Sequence, residues 1–148
     1  MKRFLFLLIP IFLIGCSQPE IKEVKKDRRH LQNVNLSGAD LSYLDLKNVD
    51  LSHSNLKNTN LTKIDLKGSK LVNTNFQAAF LQGANLEDTD CHGTDFLSAH
   101  LEKADFNGAN LTHARFIGSD VKKTDFRNTT GLTESQKEVL KTKGAIIN

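Results

Sequence analysis

A bulky apolar residue returns at every fifth position from Leu31 to Phe126, over twenty consecutive repeats. Thirteen of these central positions hold leucine and five hold phenylalanine, and the other two are Cys91 and Val121. In a helix, five residues advance the side chain by about 500°, so successive leucines would share no face. In a strand, an odd spacing would send them to opposite faces. The period therefore predicts a solenoid, in which the backbone turns a corner once per repeat and every central side chain points to one axis.

The other positions of the repeat agree with this prediction. Two residues before each centre the side chain is mostly small, as at Ala39 and Ala84, which suits a crowded interior. Two residues after most centres stands Gly, Asn or Asp, as at Gly38, residue types that tolerate tight corners. Asp or Asn usually precedes the centre, as at Asp40, where a short polar side chain can bond to the turning backbone.

The segments 38–42, 83–87 and 108–112 read GADLS, GANLE and GANLT. They closely resemble the A-(D/N)-L-X-X repeat of the pentapeptide-repeat family. The resemblance implies an all-β fold, a right-handed quadrilateral β-helix with four repeats per coil, and hence about five coils. Phe76, Phe96 and Phe116 are spaced by twenty residues, as are Phe106 and Phe126. Each set would then form an aromatic ladder on one wall.

The N-terminal residues differ in character from the repeats. Lys2 and Arg3 precede an apolar run of about eleven residues, too short to span a membrane, which needs about twenty. The run ends in LIGC, which resembles a bacterial lipobox, so we expect export, lipidation of Cys16 and removal of residues 1–15. Residues 16–30 form a polar tether whose basic residues either are simply solvated or contact anionic headgroups.

A lipid on Cys16 would place the protein in the cell envelope. The expected location is the outer membrane, facing the periplasm, in a Gram-negative organism, and otherwise the outer face of the cell membrane. The alternative is an ordinary signal peptide without lipidation. The repeat region 31–130 and a C-terminal region 131–148 would follow the tether as a single domain.

The C-terminal region predicts a short helix that closes the solenoid. Thr133 to Gln136 has the form of a capping box, and Gly144 is a plausible stop. A solenoid's last coil exposes its core and its strand edges, so a cap over Phe116, Val121 and Phe126 is expected. The alternative is a tail-to-tail homodimer through the same region.

Charge excludes two classes of partner. The chain has 20 basic and 17 acidic residues, and removal of Lys2 and Arg3 with the signal peptide leaves 18 against 17. Some pentapeptide-repeat proteins are strongly acidic rods that imitate DNA and bind gyrase, but a near-neutral, exported chain does not fit that function. Its dispersed basic residues, without an outer aromatic stripe, do not predict nucleic-acid binding either.

The sequence offers no catalytic, cofactor or metal site. His30, His53, His92, His100 and His113 lack the spacing of zinc ligands, although His92 and His113 could be neighbours. Cys91 stands at an inward centre, where it is expected to be a small buried hydrophobe. We therefore expect a protein that is not an enzyme and needs no cofactor.

Four apolar residues stand where the repeat expects polar ones. Leu97 and Ile117 follow their centres one coil apart, and Phe80 and Val72 are exceptions elsewhere. Together they form the candidate interaction patch. The sequence thus predicts a lipid-anchored pentapeptide-repeat solenoid that binds an envelope protein or acts as a scaffold, with a structural spacer that has no dedicated partner as the alternative.

Overall fold

The computed structural model describes residues 31–148, and the predicted signal peptide, Cys16 and tether lie outside them. Parallel bridges join residues twenty positions apart, from Asn35↔Asn55 to Asn110↔Thr130. Because each repeat has five residues, this register places four repeats in one coil and gives the rod four walls. Each wall contributes one bridging residue per coil, directly before the central residue. The predicted four-sided solenoid is confirmed, and residues 31–130 correspond to five coils.

Backbone hydrogen bonds between coils hold the walls together. The amide of Leu86 donates to the carbonyl of Asp105 in the coil above at 2.7 Å. The amide of Asn85 donates to Ile64 in the coil below at 2.9 Å. The corner is closed when the amide of Thr89 donates back to the carbonyl of Leu86 at 3.4 Å. This pattern recurs along the rod and pairs nearly every wall with the walls above and below it.

Each corner has a left-handed backbone conformation two residues after the centre. The expected residue types adopt it, as at Gly38 with a φ of 73° and Asn48 with a φ of 55°. Tyr43, Lys63 and Lys123 also adopt it, with φ values of 61°, 54° and 60°. Such residues avoid positive φ at a cost of order 1 kcal/mol each. The pairing of the coils above and below therefore determines the corner, whichever residue type occupies it.

The central residues form one continuous core. All twenty are buried, and Phe76, Phe96 and Phe116 stack with successive ring centroids 5.4 Å and 5.1 Å apart. Phe106 and Phe126 stack at 5.1 Å on another wall, and the two ladders meet edge to face. The predicted aromatic ladders are confirmed. Edge-to-face and offset contacts of this kind add about 0.5–1.5 kcal/mol per pair beyond burial.

Buried hydroxyl groups in the core are satisfied by the backbone. Thr94 is fully buried, and its Oγ1 donates to the carbonyl of Leu71 in the coil below at 2.6 Å. The Oγ1 of Thr124 donates to Leu101 in the same way, also at 2.6 Å. A small polar residue two positions before the centre thus fills space and links two coils, at no cost of an unpaired buried group.

Helix α1, Glu134–Thr142, closes the C-terminal end. The predicted capping box is present, since Thr133 Oγ1 accepts from the amide of Gln136 and the Gln136 side chain accepts from the amide of Thr133. At the other end, Gly144 N donates to Lys141 O at 2.9 Å and Ala145 N donates to Leu140 O at 3.1 Å. This pair of bonds is a Schellman motif, which Gly144 permits with a φ of 86°.

The cap joins the core and continues part of the ladder. Leu132 and Leu140 are buried with the central residues. After α1 the chain pairs with the last coil, where Phe126 N donates to Ile146 O and Ile146 N donates to Thr124 O, both at 2.8 Å. The bridge Asp125↔Ile146 spans 21 residues instead of 20, so the tail is not a further repeat. Val121 and Phe126 are 0% and 1% exposed beneath this cap, whereas Phe116 is 8% exposed.

No helix within residues 31–148 has the length and hydrophobicity needed to cross a membrane.

Candidate protein interaction surface

Leu97 and Ile117 occupy one vertical column of the rod. They follow the centres Phe96 and Phe116, and the amide of Ser98 donates to the carbonyl of Ile117 at 2.9 Å, which sets them one coil apart. Leu97 is partly buried, whereas Ile117 is 65% exposed. The two residues therefore form an apolar strip that becomes more exposed towards the C-terminal end.

The other two residues of the candidate patch lie apart from this strip. Phe80 bridges to His100 and is 42% exposed, and the two rings stack with centroids 5.1 Å apart and planes 3° from parallel. This stack lies on the wall that follows the corner at Leu97. Val72 is partly buried at a different corner, where its carbonyl accepts from the amide of His53 at 2.8 Å. The structure thus brings Leu97 and Ile117 together, with Phe80 on the adjoining wall and Val72 on another column.

A groove of about 400 Å³ lies between α1 and the edge of the last coil at residues 114–118. Phe116 and Ile117 line it on one side, and Val139 and Leu140 line it on the other. Val139 is 52% exposed, and Ile117 belongs to both the groove and the apolar strip. Sequence reasoning missed this groove because it arises from the position of α1, which no local pattern of residues specifies.

The cap completes the edge of the groove only in part. Gln136 Nε2 donates to the carbonyl of Ala114 at 3.0 Å, and Lys143 Nζ donates to the carbonyl of Ser119 at 3.1 Å. These side chains take the place of backbone amides that a further coil would supply. Between them, the amides of Phe116 and Gly118 donate to no group among residues 31–148. Gln136 and Lys143 thus satisfy the two flanking carbonyls of the edge, whereas the amides of its middle have no acceptor among residues 31–148.

Several charged residues on the outer walls form ion pairs. Lys47 pairs with Asp65 at 3.0 Å, and Lys67 pairs with Glu87 one coil above. The bidentate contact of Arg127 holds the pKa of Asp125 below its usual value. Exposed pairs of this kind contribute at most about 1 kcal/mol each.

The pKa of Asp105 is shifted in the opposite direction to that of Asp125, its neighbour in the same column. Burial, together with the nearby carboxylates of Glu87 and Asp125, raises its pKa above the usual value. The Lys63 ammonium, on the other hand, lies 5.7 Å from the centroid of the Tyr43 ring, a distance suited to a cation–π contact. These features concern the stability of the rod rather than a reaction.

The described residues do not converge into a reactive centre. The rings of His92 and His113 meet edge to face, with centroids 5.3 Å apart, so the two are neighbours. Within residues 31–148 no group of three or more His, Cys, Asp or Glu could hold a metal ion. Cys91 is buried in the core, and desolvation raises the pKa of its thiol to about 12, so it remains protonated.

The sequence matches the family model of pentapeptide repeats in eight copies, over residues 30–68, 64–98 and 89–128. The chain belongs to the pentapeptide-repeat family. Comparison with curated protein sequences gives no match. Among solved structures, this pentapeptide-repeat protein is similar to Rfr23 from the cyanobacterium Cyanothece 51142, with 21% identity, a TM-score of 0.63 and coverage of 88% of this chain and 98% of that one. That likeness implies a right-handed quadrilateral β-helix.

Two further solved structures are similar to this pentapeptide-repeat protein. One is a pentapeptide repeat protein from the Arabidopsis thaliana thylakoid lumen, with 32% identity, a TM-score of 0.40 and coverage of 79% of this chain and 81% of that one. The other is alr5209 from Nostoc Pcc 7120, with 25% identity, a TM-score of 0.44 and coverage of 88% and 93%. Proteins of this family generally act as structural or protein-interaction modules.

Proposed function

We propose that this protein is a lipid-anchored protein-binding or scaffold module of the bacterial cell envelope. The observation that carries the proposal is the exposure of Ile117, which is 65% accessible above Leu97 and beside the terminal groove. Exposed apolar surface beside a concave groove is typical of a protein contact.

The charge of the rod supports a protein partner over a nucleic acid. Residues 31–148 contain 13 Lys and Arg against 14 Asp and Glu, which gives a difference of −1. A rod of this charge has neither the basic surface that binds phosphates nor the strong acidity of a DNA mimic.

The start of the repeat region and the groove lie at opposite ends of the rod. Leu31 starts the first coil, and the groove lies at the last. At about 4.8 Å per coil, five coils separate the two ends by about 24 Å. The alternative to a partner protein at the groove is a homodimer formed through the C-terminal cap.

Cross-linking in intact cells tests the binding function. The native chain is compared with the double variant Leu97→Glu, Ile117→Glu, and cross-linked partners are identified by mass spectrometry. Tyr43→Glu is the matched control, because Tyr43 is 69% exposed near the opposite end. We expect one envelope protein to be recovered with the native chain and with the control, and lost with the double variant. The absence of any specific partner would contradict the proposal and favour a structural spacer.

The anchor has a separate test in Cys16→Ala. We expect this variant to lose acyl labelling and to leave the membrane fraction. Unchanged membrane association would contradict the lipid anchor and leave the binding function to be judged on its own result.

A further inference from the structure

The edge of the last coil at residues 114–118 presents an unfinished ladder. In the coil below, Phe96 N donates to Arg115 O and Ser98 N donates to Ile117 O, both at 2.9 Å. The amides of Phe116 and Gly118 hold the same positions one coil higher, and neither has an acceptor among the described residues. An edge with unpaired donors is a template for the addition of a strand.

The register of the lower coils predicts where a bound strand would place the carbonyl groups that accept these hydrogen bonds. A strand running parallel to residues 114–118 would place the carbonyl of one residue above Arg115. The carbonyl of the residue two positions later would then lie above Ile117. These carbonyls would accept from the amides of Phe116 and Gly118, as the carbonyls of Arg115 and Ile117 accept in the coil below. The two donors thus set both the direction and the register of the strand.

The residues that line the groove indicate which side chains a bound strand would carry. Arg115 and Lys143 are its charged residues, and no carboxylate is among the described residues that line it. Arg115 already pairs with Asp95 of the coil below at 3.4 Å, so an acidic residue above Arg115 would continue the alternation of charge. An aliphatic residue above Ile117 would extend the apolar strip. The residue between them would lie above Phe116, on the side of the groove that Leu140 closes.

We infer that the groove between α1 and residues 114–118 binds an extended segment of a partner protein, added as a parallel strand to the last coil, in which an acidic residue is followed two positions later by an aliphatic one. This inference rests on the proposed protein-binding function and names its site and the chemistry of its ligand. Charge complementarity favours such a peptide over an uncharged apolar one. Main-chain hydrogen bonds would supply affinity, and the contacts of Arg115 and Ile117 would supply selectivity.

A nuclear magnetic resonance titration of the full chain in detergent micelles tests this inference. The probe is an acetylated, amidated peptide of sequence Ser-Thr-Asp-Ala-Ile-Gly. We expect saturable downfield shifts of the amide protons of Phe116 and Gly118, because each gains an acceptor, with small changes on the other walls. A second peptide with Lys in place of Asp should bind about fivefold more weakly, the factor that corresponds to about 1 kcal/mol for an exposed ion pair.

Val139→Glu supplies the variant, since Val139 lines the groove and is 52% exposed on α1, so the fold should tolerate the change. A carboxylate there would repel the acidic residue of the peptide and remove apolar contact. We expect peptide binding to fall below detection in this variant. Tyr43→Glu also replaces an exposed apolar side chain by glutamate, but at the far end of the rod, and this variant should bind the peptide like the parent.

Three outcomes would overturn the inference. In the first, saturating peptide leaves the amides of Phe116 and Gly118 unshifted. In the second, Val139→Glu binds as well as the parent. In the third, the same amides shift with protein concentration alone, which would assign the groove to a second copy of this chain. If cross-linking in cells still recovers a partner that depends on Leu97 and Ile117, the binding function stands and only the groove assignment falls.

Discussion

The rings of Phe96 and Phe116 lie 5.1 Å apart between centroids, with planes 8° from parallel. Phe96 is fully buried between two other phenylalanines of its ladder, whereas Phe116 ends the ladder and is 8% exposed at the groove. The core of the rod therefore reaches its surface at this ring, beside the edge that α1 leaves incomplete.

Truncation of these two rings should cost different amounts. Phe96→Ala would leave a closed cavity within the rod, and we expect the free energy of unfolding to fall by about 3–5 kcal/mol. Phe116→Ala would leave a cavity that opens into the groove and admits water, so we expect a smaller loss. Urea denaturation followed by circular dichroism measures both. Equal losses would mean that the top of the ladder is sealed as tightly as its middle.

A charged substitution at a central position tests which positions of the repeat point inward and which point outward. Leu86 is 0% exposed at a centre, so Leu86→Asp would bury a carboxylate without a partner, and we expect the rod not to fold. Gln82→Asp, an outward change one repeat earlier, should melt within a few degrees of the parent. A cooperative parent-like melt of Leu86→Asp would show that the assignment is wrong.

Stability should depend on pH through Asp105. Burial and the neighbouring carboxylates of Glu87 and Asp125 raise its folded-state pKa, so its ionisation opposes folding. For a carboxyl with a raised pKa, stability is lost as pH rises from the unfolded towards the folded value and stays lost above it. We expect Asp105→Asn to raise the free energy of unfolding by about 0.5 kcal/mol at pH 7 and not at pH 3. Urea titrations at the two pH values measure the difference.

Asp125→Asn is the control for Asp105→Asn, because it is expected to change the free energy of unfolding in the opposite direction. The Arg127 side chain lowers the pKa of Asp125, so this carboxylate stabilises the rod above its unfolded pKa, and that contribution is lost as pH falls. We expect Asp125→Asn to be less stable than the parent at pH 7, with a difference that shrinks as pH falls towards the lowered folded-state pKa of Asp125. Equal stability of both Asn variants and the parent at pH 7 would show that the column carries no net electrostatic effect.

Cys91 should be inert in the folded protein. Desolvation raises the pKa of its thiol to about 12, and its Sγ lies 3.3 Å from Thr89 Oγ1 in the core. We expect no alkylation by iodoacetamide at pH 8.5, and full alkylation in urea, with peptide mass spectrometry reporting this site by itself. Labelling at the rate of a free thiol in native buffer would contradict its burial.

The period of five was sufficient to predict the core. The twenty central residues are buried because only a backbone that turns once per repeat can send them all inward. The helix was predictable as well, since the capping box at Thr133 and the glycine at Gly144 are local signals. The corner at Tyr43 could not be predicted from residue type, because the pairing of neighbouring coils imposes its positive φ.

The candidate site was predictable only in part. The outward position of Ile117 follows from its place directly after a centre, whereas its greater exposure than Leu97 follows from its place in the last coil. The groove depends on where α1 lies over the last coil, and the long-range bonds of Gln136 to Ala114 and of Lys143 to Ser119 accompany that position. Donors that lie 22 and 24 residues from their acceptors leave no periodic trace in the sequence.

The register of twenty residues also limits how the gene can change in length. Insertion or deletion of one whole coil would keep every column aligned and alter only the reach of the rod. A change of five residues between Leu97 and Ile117 would turn all later walls by a quarter and place these two residues on different faces. A change of one residue would put polar side chains on the axis and is tolerable only at an end, as in the offset of 21 at Ile146.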